Sequence, residues 1–131
     1  MKITKFEDIE AWQVSRRLSY LVFEATGSSS FRNLSELRSQ LRRAATSTMA
    51  NIAEGFNSGS DAEFARFLRI SRKSATEIQS HLYSALDTKS IDEQNFATLY
   101  GKAEEVKRLI GGFVRYLSGR AELGPRPRTE D

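Results

Sequence analysis

Two groups of basic residues, Arg38, Arg42 and Arg43 followed by Arg66, Arg69 and Lys73, carry the clearest chemical signal in the chain. A guanidinium fork pairs two phosphate oxygens, and phosphate contacts of this kind need no fixed motif. Between Phe31 and Lys73 there are eight basic and four acidic residues, so the +3 net charge of the chain is concentrated there. Nucleic acid is the partner these residues suit; a merely solvated basic face is the bland alternative. Asn51 and Glu54 form a second polar pair. Helical counting turns both toward the buried side of their helix, where a carboxylate needs a partner: an arginine of another helix or subunit, or a cap, ahead of a catalytic role.

Other chemistries lack their residues. The chain has no cysteine and one histidine, His81. That removes thiolate nucleophiles, thiolate metal sites and disulfides, and leaves no support for a nucleophilic triad. A di-iron site in a helical bundle needs paired Glu-x-x-His motifs, but the residue three before His81 is Ile78. His81 reads instead as a helical surface partner of Glu77. The segment GFNSGS, residues 55–60, has neither the lysine nor the spacing of a phosphate-binding loop. A non-enzymatic protein without cofactor or metal is expected. No apolar run approaches the ~18 residues of a membrane span. MKITKFEDIE lacks the apolar centre of a signal peptide, so a cytoplasmic location follows as an expectation.

The elements that carry these residues read as helices. Both prolines, Pro125 and Pro127, lie at the very end, so nothing earlier removes a helical donor. Four pairs have the spacing of a capping box: Thr4 with Glu7, Asn33 with Glu36, Ser60 with Glu63 and Ser90 with Glu93. They predict four helices. The first spans about 5–26, the second about 34–54, the third about 61–87, and the fourth follows Ser90 with an a/d seam of Phe96, Leu99, Ala103, Val106, Ile110, Phe113 and Leu117. Short links between helices of similar length make an all-α, antiparallel up-down-up-down four-helix bundle of residues 1–119 the natural architecture. Residues 120–131 lack periodicity and read as a disordered tail.

The second helix has a small inward face, with Leu41, Ala44, Thr48 and Ile52 at helical spacing and Gly55 placed as a left-handed C-terminal cap. The first is apolar on two sides. Ala11, Val14, Leu18, Leu21, Val22 and Ala25 form one face, while Ile9, Trp12, Tyr20 and Phe23 fall roughly opposite. The second face suits an interface with another subunit, unless Trp12 and Phe23 only widen the core stripe. Gly111-Gly112 in the fourth helix calls for a close neighbour or a bend.

Residues QLRRAATSTMANIAEGF, with Phe6-Glu7-Asp8-Ile9 and Trp12 before them and Glu63-Phe64 and Phe67-Leu68 after, resemble the four-helix bundle proteins encoded in intervening sequences of bacterial 23S ribosomal RNA genes. The likeness spans about 6–117. It implies a homopentamer, five bundles around an axis, and extends to accessory proteins of diversity-generating retroelements, which look like basic pentamers that engage nucleic acid and a reverse transcriptase. Arg42, Arg43, Asn51 and Glu54 match the family motif; Arg66, Arg69 and Lys73 lie outside it. The link after Gly55 often carries a basic residue in the family and here reads Asn57-Ser58-Gly59. The expected function is binding of RNA or a ribonucleoprotein through the basic faces of helices two and three. The alternative is a protein–protein scaffold that uses the second apolar face of helix one.

Overall fold

The computed structural model describes residues 3–121. They form four α-helices, α1 (Glu10–Thr26), α2 (Ser35–Phe56), α3 (Asp61–Asp87) and α4 (Glu93–Ala121), with 3₁₀ turns at Phe6–Asp8 and Ser29–Phe31 and no strand among the described residues. Each helix packs against the next, and α1 closes against α4. The expected all-α bundle is what the chain adopts. Antiparallel register is visible between α2 and α3: Ser47 shares a hydrogen bond with Ser74, while Gly55, further along α2, abuts Phe67 and Phe64, which come earlier on α3. No described helix is long and apolar enough to cross a membrane.

The core is aliphatic at its centre. Leu18, Ile52, Leu68, Ile78, Ala103, Val106 and Ile110 are fully buried, with Phe31 and Phe64 closing the ends. Small hydroxyl residues fill the remaining contacts and satisfy themselves on nearby carbonyls. Thr48 Oγ1 donates to Ala44 O at 2.7 Å, and Ser71 Oγ, from α3, donates to Thr48 O. That bond crosses between helices where an apolar side chain of similar size would only fill space.

Three local expectations change. First, α1 begins at Glu10, because Ile9 is extended (φ −79°, ψ 121°) after the 3₁₀ turn. The helical count from Lys5 therefore does not hold at Ile9, which is 1% exposed and belongs to the core. Its assignment to a subunit interface is corrected accordingly. Second, Gly55 lies inside α2 and is not a left-handed cap. A Cβ there would come 2.7 Å from Phe67 Cβ and 2.9 Å from Phe64 Cδ1, so the glycine permits α2 and α3 to touch. Third, Gly111 and Gly112 meet no close neighbour, since an added Cβ at Gly111 would find only arginine side-chain nitrogens, at 3.6 and 3.8 Å.

The caps also divide. Ser60 accepts from Glu63 N at 3.1 Å and starts α3 as expected. Thr4 pairs with Asp8 instead of Glu7, and α2 starts without a side-chain cap. Ser90 terminates α3: its N–H and hydroxyl both donate to Ala85 O, at 2.9 and 3.0 Å, and Lys89 takes the left-handed position at φ 63°. Asp92 then caps α4 by accepting from Asn95 N at 2.7 Å. At the other end of α4, the helix continues through Arg120 and Ala121. The rest of the expected tail, residues 122–131, lies outside the described residues.

Candidate nucleic-acid interface

The C-terminal half of α1 and the N-terminal half of α2 enclose an open groove of about 380 Å³, lined by Phe23, Ser35, Arg38, Ser39, Arg42, Arg43 and Thr46. Six of those residues come from α2, at positions 35, 38, 39, 42, 43 and 46, the spacing that gathers side chains on one side of a helix. No carboxylate lines it. Its three arginines form no ion pair with any described residue.

The three differ in how they are held. Arg42 is fixed: Nε donates to the Thr26 hydroxyl at 2.8 Å, Nη2 to Phe23 O at 3.4 Å, and its guanidinium lies 4.8 Å from the centre of the Phe23 ring. Thr26 is itself anchored, donating to Val22 O at 2.7 Å. Arg43 is exposed and donates only to Ser39 Oγ at 3.3 Å, from the next turn of its own helix. Arg38 is half-buried with no side-chain bond to a described residue. The groove thus has one arginine committed to structure and two with donors to spare.

Arg66, the first basic residue of α3, stands apart from this groove. Antiparallel register sets Arg66 level with the last turn of α2, about 18 Å along the axis from Arg42. Arg66 is also engaged, with Nε 2.7 Å from Glu63 Oε1 and its guanidinium 4.7 Å from the Phe67 ring centre. The bond and charge of Arg66 hold the Glu63 carboxyl below the ordinary glutamate value, and Glu63 raises Arg66 in return. Arg69 and Lys73 are exposed and form no ion pair with a described residue. Lys73 lies nearer the groove than Arg66, since it adjoins Ser74, which bonds Ser47 next to the groove-lining Thr46.

Asn51 lies on the α3-facing side of α2, in keeping with the count, and Glu54 does not. Asn51 is half-buried and its amide donates to Ser47 O at 2.9 Å and Ser47 Oγ at 3.0 Å, within its own helix. Glu54 is exposed and makes no ion pair with a described residue. Water solvates it, so the buried partner expected for it is not required. Of the remaining residues expected at a subunit interface, Trp12 is half-buried and packs edge-on to Phe6 with ring centres 5.1 Å apart. Tyr20 and Phe23 are 56% and 39% exposed.

Sequence reasoning missed the link between those aromatics and the arginines. Arg16 lies 5.9 Å from the Trp12 ring centre and Arg17 lies 5.4 Å from that of Tyr20. Their spacings, four and three residues on one helix, could have been read from the chain; the Arg42–Phe23 contact crosses between helices and could not. A second cluster was also missed, where Tyr83 and Tyr100 pack around Phe96 with ring centres 4.9 to 5.9 Å apart. No group of three or more metal-ligating side chains occurs among the described residues.

No match was found among curated protein sequences. Among solved structures, the chain is similar to a protein of unknown function from the S23 ribosomal protein family of Bacteroides thetaiotaomicron, with a TM-score of 0.70 and 21% identity over 79% of this chain and 97% of that one. At that identity the likeness is one of fold. The sequence itself matches a family model over residues 7–112, from the first 3₁₀ turn to the glycine pair of α4, and the chain belongs to the 23S rRNA-intervening sequence protein family.

Proposed function

We propose that this protein binds nucleic acid, RNA or a ribonucleoprotein foremost, through the groove between α1 and α2 and without catalysing a reaction. The observation that carries the reading is a groove with three arginines and three hydroxyl side chains, no carboxylate in its lining and no ion pair on any of the arginines. Guanidinium groups without a protein counter-ion suit phosphate, and Ser35, Ser39 and Thr46 supply neutral donors beside them. Arg69 and Lys73, exposed and without an ion pair, offer further backbone contacts on α3. The family name favours RNA over DNA, and a homopentamer would repeat the groove around an axis and multiply its charge.

The test is fluorescence anisotropy with labelled RNA at increasing salt, alongside native mass spectrometry. Affinity should fall steeply with salt, and Arg38→Ala/Arg43→Ala should weaken binding across sequences. Binding that is indifferent to both salt and this double substitution overturns the reading. The exposure of Tyr20 and Phe23 favours a second reading, a protein–protein scaffold. In that case Phe23→Glu abolishes assembly or partner capture and leaves RNA binding absent throughout.

A further inference from the structure

Arginine–aromatic pairs run along α1 into the groove: Arg16 on Trp12, Arg17 on Tyr20, and Arg42 of α2 on Phe23. From Trp12 to Phe23 this line is about 17 Å long. Its groove end is the open one, since Tyr20 and Phe23 are exposed and Phe23 is itself part of the groove lining.

We infer that the ligand of this groove is unpaired, single-stranded nucleic acid, whose bases stack on Tyr20 and Phe23 while Arg38 and Arg43 hold the flanking phosphates. The inference rests on the nucleic-acid reading and narrows it. A duplex keeps its base faces inside the stack, so exposed aromatic rings gain nothing from one. A single strand presents a π-face at every nucleotide, and stacking on aromatic side chains beside a basic groove is how such strands are held without a sequence code. The spacing fits: residues three apart on a helix have Cβ atoms about 5–6 Å apart, a step that successive splayed bases can follow. Arg17 over Tyr20 and Arg42 over Phe23 orient these two rings, which both stay exposed to a base.

Charge sets which part of the ligand goes where. Glu24 lies beside the rings and accepts from the Tyr20 hydroxyl at 3.4 Å, which disfavours a phosphate next to Tyr20 and suits an uncharged base there. Across the groove, Arg38 and Arg43 have no carboxylate neighbour in the lining and suit the backbone.

Anisotropy with one labelled oligonucleotide, alone and annealed to its complement, tests the inference. Tyr20→Leu and Phe23→Leu keep apolar bulk at exposed positions, and a thermal melt checks that each variant is folded. The single strand should bind more tightly than the duplex, and each leucine variant should weaken the single strand by about five- to tenfold while leaving the duplex unchanged. Equal binding of both forms, with the leucine variants silent, overturns the single-strand inference while salt-dependent binding through Arg38 and Arg43 keeps the broader reading. Binding untouched by Arg38→Ala/Arg43→Ala removes both. A change in native mass in the leucine variants, with nucleic-acid affinity unchanged, identifies the rings as a subunit contact and also overturns the inference.

Discussion

Arg42 lies across Phe23, its guanidinium 4.8 Å from the ring centre, and its Nε donates to the Thr26 hydroxyl at 2.8 Å. This one side chain ties α2 to the last turn of α1 and forms the floor of the groove. Its neighbours Arg38 and Arg43 make no such tie, although all three look alike in the sequence. Arg42→Ala should therefore destabilise the fold by about 1–2 kcal/mol through the lost charged hydrogen bond and ring contact. Arg43→Ala, at an exposed site, should stay within about 0.5 kcal/mol of the parent. Urea denaturation of the two variants checks this, and equal stabilities would remove the distinction.

Gly55 makes the opposite kind of contact, one defined by what is missing. An alanine there would be the better helix former by about 1 kcal/mol. Its methyl group would also stand 2.7 Å from Phe67 Cβ and 2.9 Å from Phe64 Cδ1, and at the first of these the obstacle is the base of a side chain that can move only with its helix. Overpacking of this sort costs about 1–3 kcal/mol and should outweigh the helical gain. Gly55→Ala is expected to lower the denaturation midpoint, and Gly101→Ala, whose Cβ would meet nothing within 4 Å, to raise it.

Lys89 occupies a left-handed conformation at φ 63°, where the bonds from Ser90 N to Ala85 O and from Lys89 N to Leu86 O close the end of α3. Glycine adopts that conformation without a Cβ penalty. Lys89→Gly should stabilise the protein by about 0.5–1 kcal/mol, visible as a rise in melting temperature. Ser60→Ala, which removes the one capping bond that forms as the sequence suggests, should cost about 1 kcal/mol.

These sites show why the fold was legible and the site only partly so. Periodicity, the position of the prolines and the segment spacing report on whole helices, and errors at individual residues average out over a helix the length of α3. Caps, close approaches and exposures depend on single residues. Ser90 could serve the helix before it or the helix after it, and only the packing of the link decides. Ile9 was misplaced because a 3₁₀ turn shifts the rotation of everything before Glu10. The arginines stand out by their type, but that Arg42 is bonded to α1, that Arg66 is ion-paired and that Arg66 lies far along the axis from Arg42 are tertiary facts.

The Arg66–Glu63 pair has a pH consequence of its own. The hydrogen bond and charge of Arg66 lower the Glu63 carboxyl from its ordinary value. A carboxylate lowered in the folded state stabilises the fold above its unfolded pKa, and that contribution disappears as pH falls through the folded one. The stabilisation is thus fully present near neutrality, and its dependence on pH is confined to the acid range. An NMR titration of the Glu63 side chain should give a midpoint below the ordinary glutamate value, and Arg66→Ala should return it to the ordinary range; an unchanged midpoint in the variant would show that the pair does not form in solution.

The same pair fixes how much Arg66 can contribute to ligand binding. A phosphate at Arg66 must share the guanidinium with Glu63, whose Oε1 lies 2.7 Å from Nε and sets a counter-charge beside it. Arg43 gives up only a 3.3 Å bond to a neutral hydroxyl. Each arginine that neutralises a phosphate of a single strand adds about 0.7 to the slope of log affinity against log salt. Arg43→Ala should accordingly flatten that slope by about 0.7 and Arg66→Ala by much less, because removing Arg66 also frees Glu63 and changes the local charge without a ligand present. Glu63→Gln is the control, since it releases Arg66 and should steepen the slope if Arg66 is within reach of the bound strand. A larger loss of slope from Arg66→Ala than from Arg43→Ala would move the principal contact from the α1–α2 groove to α3.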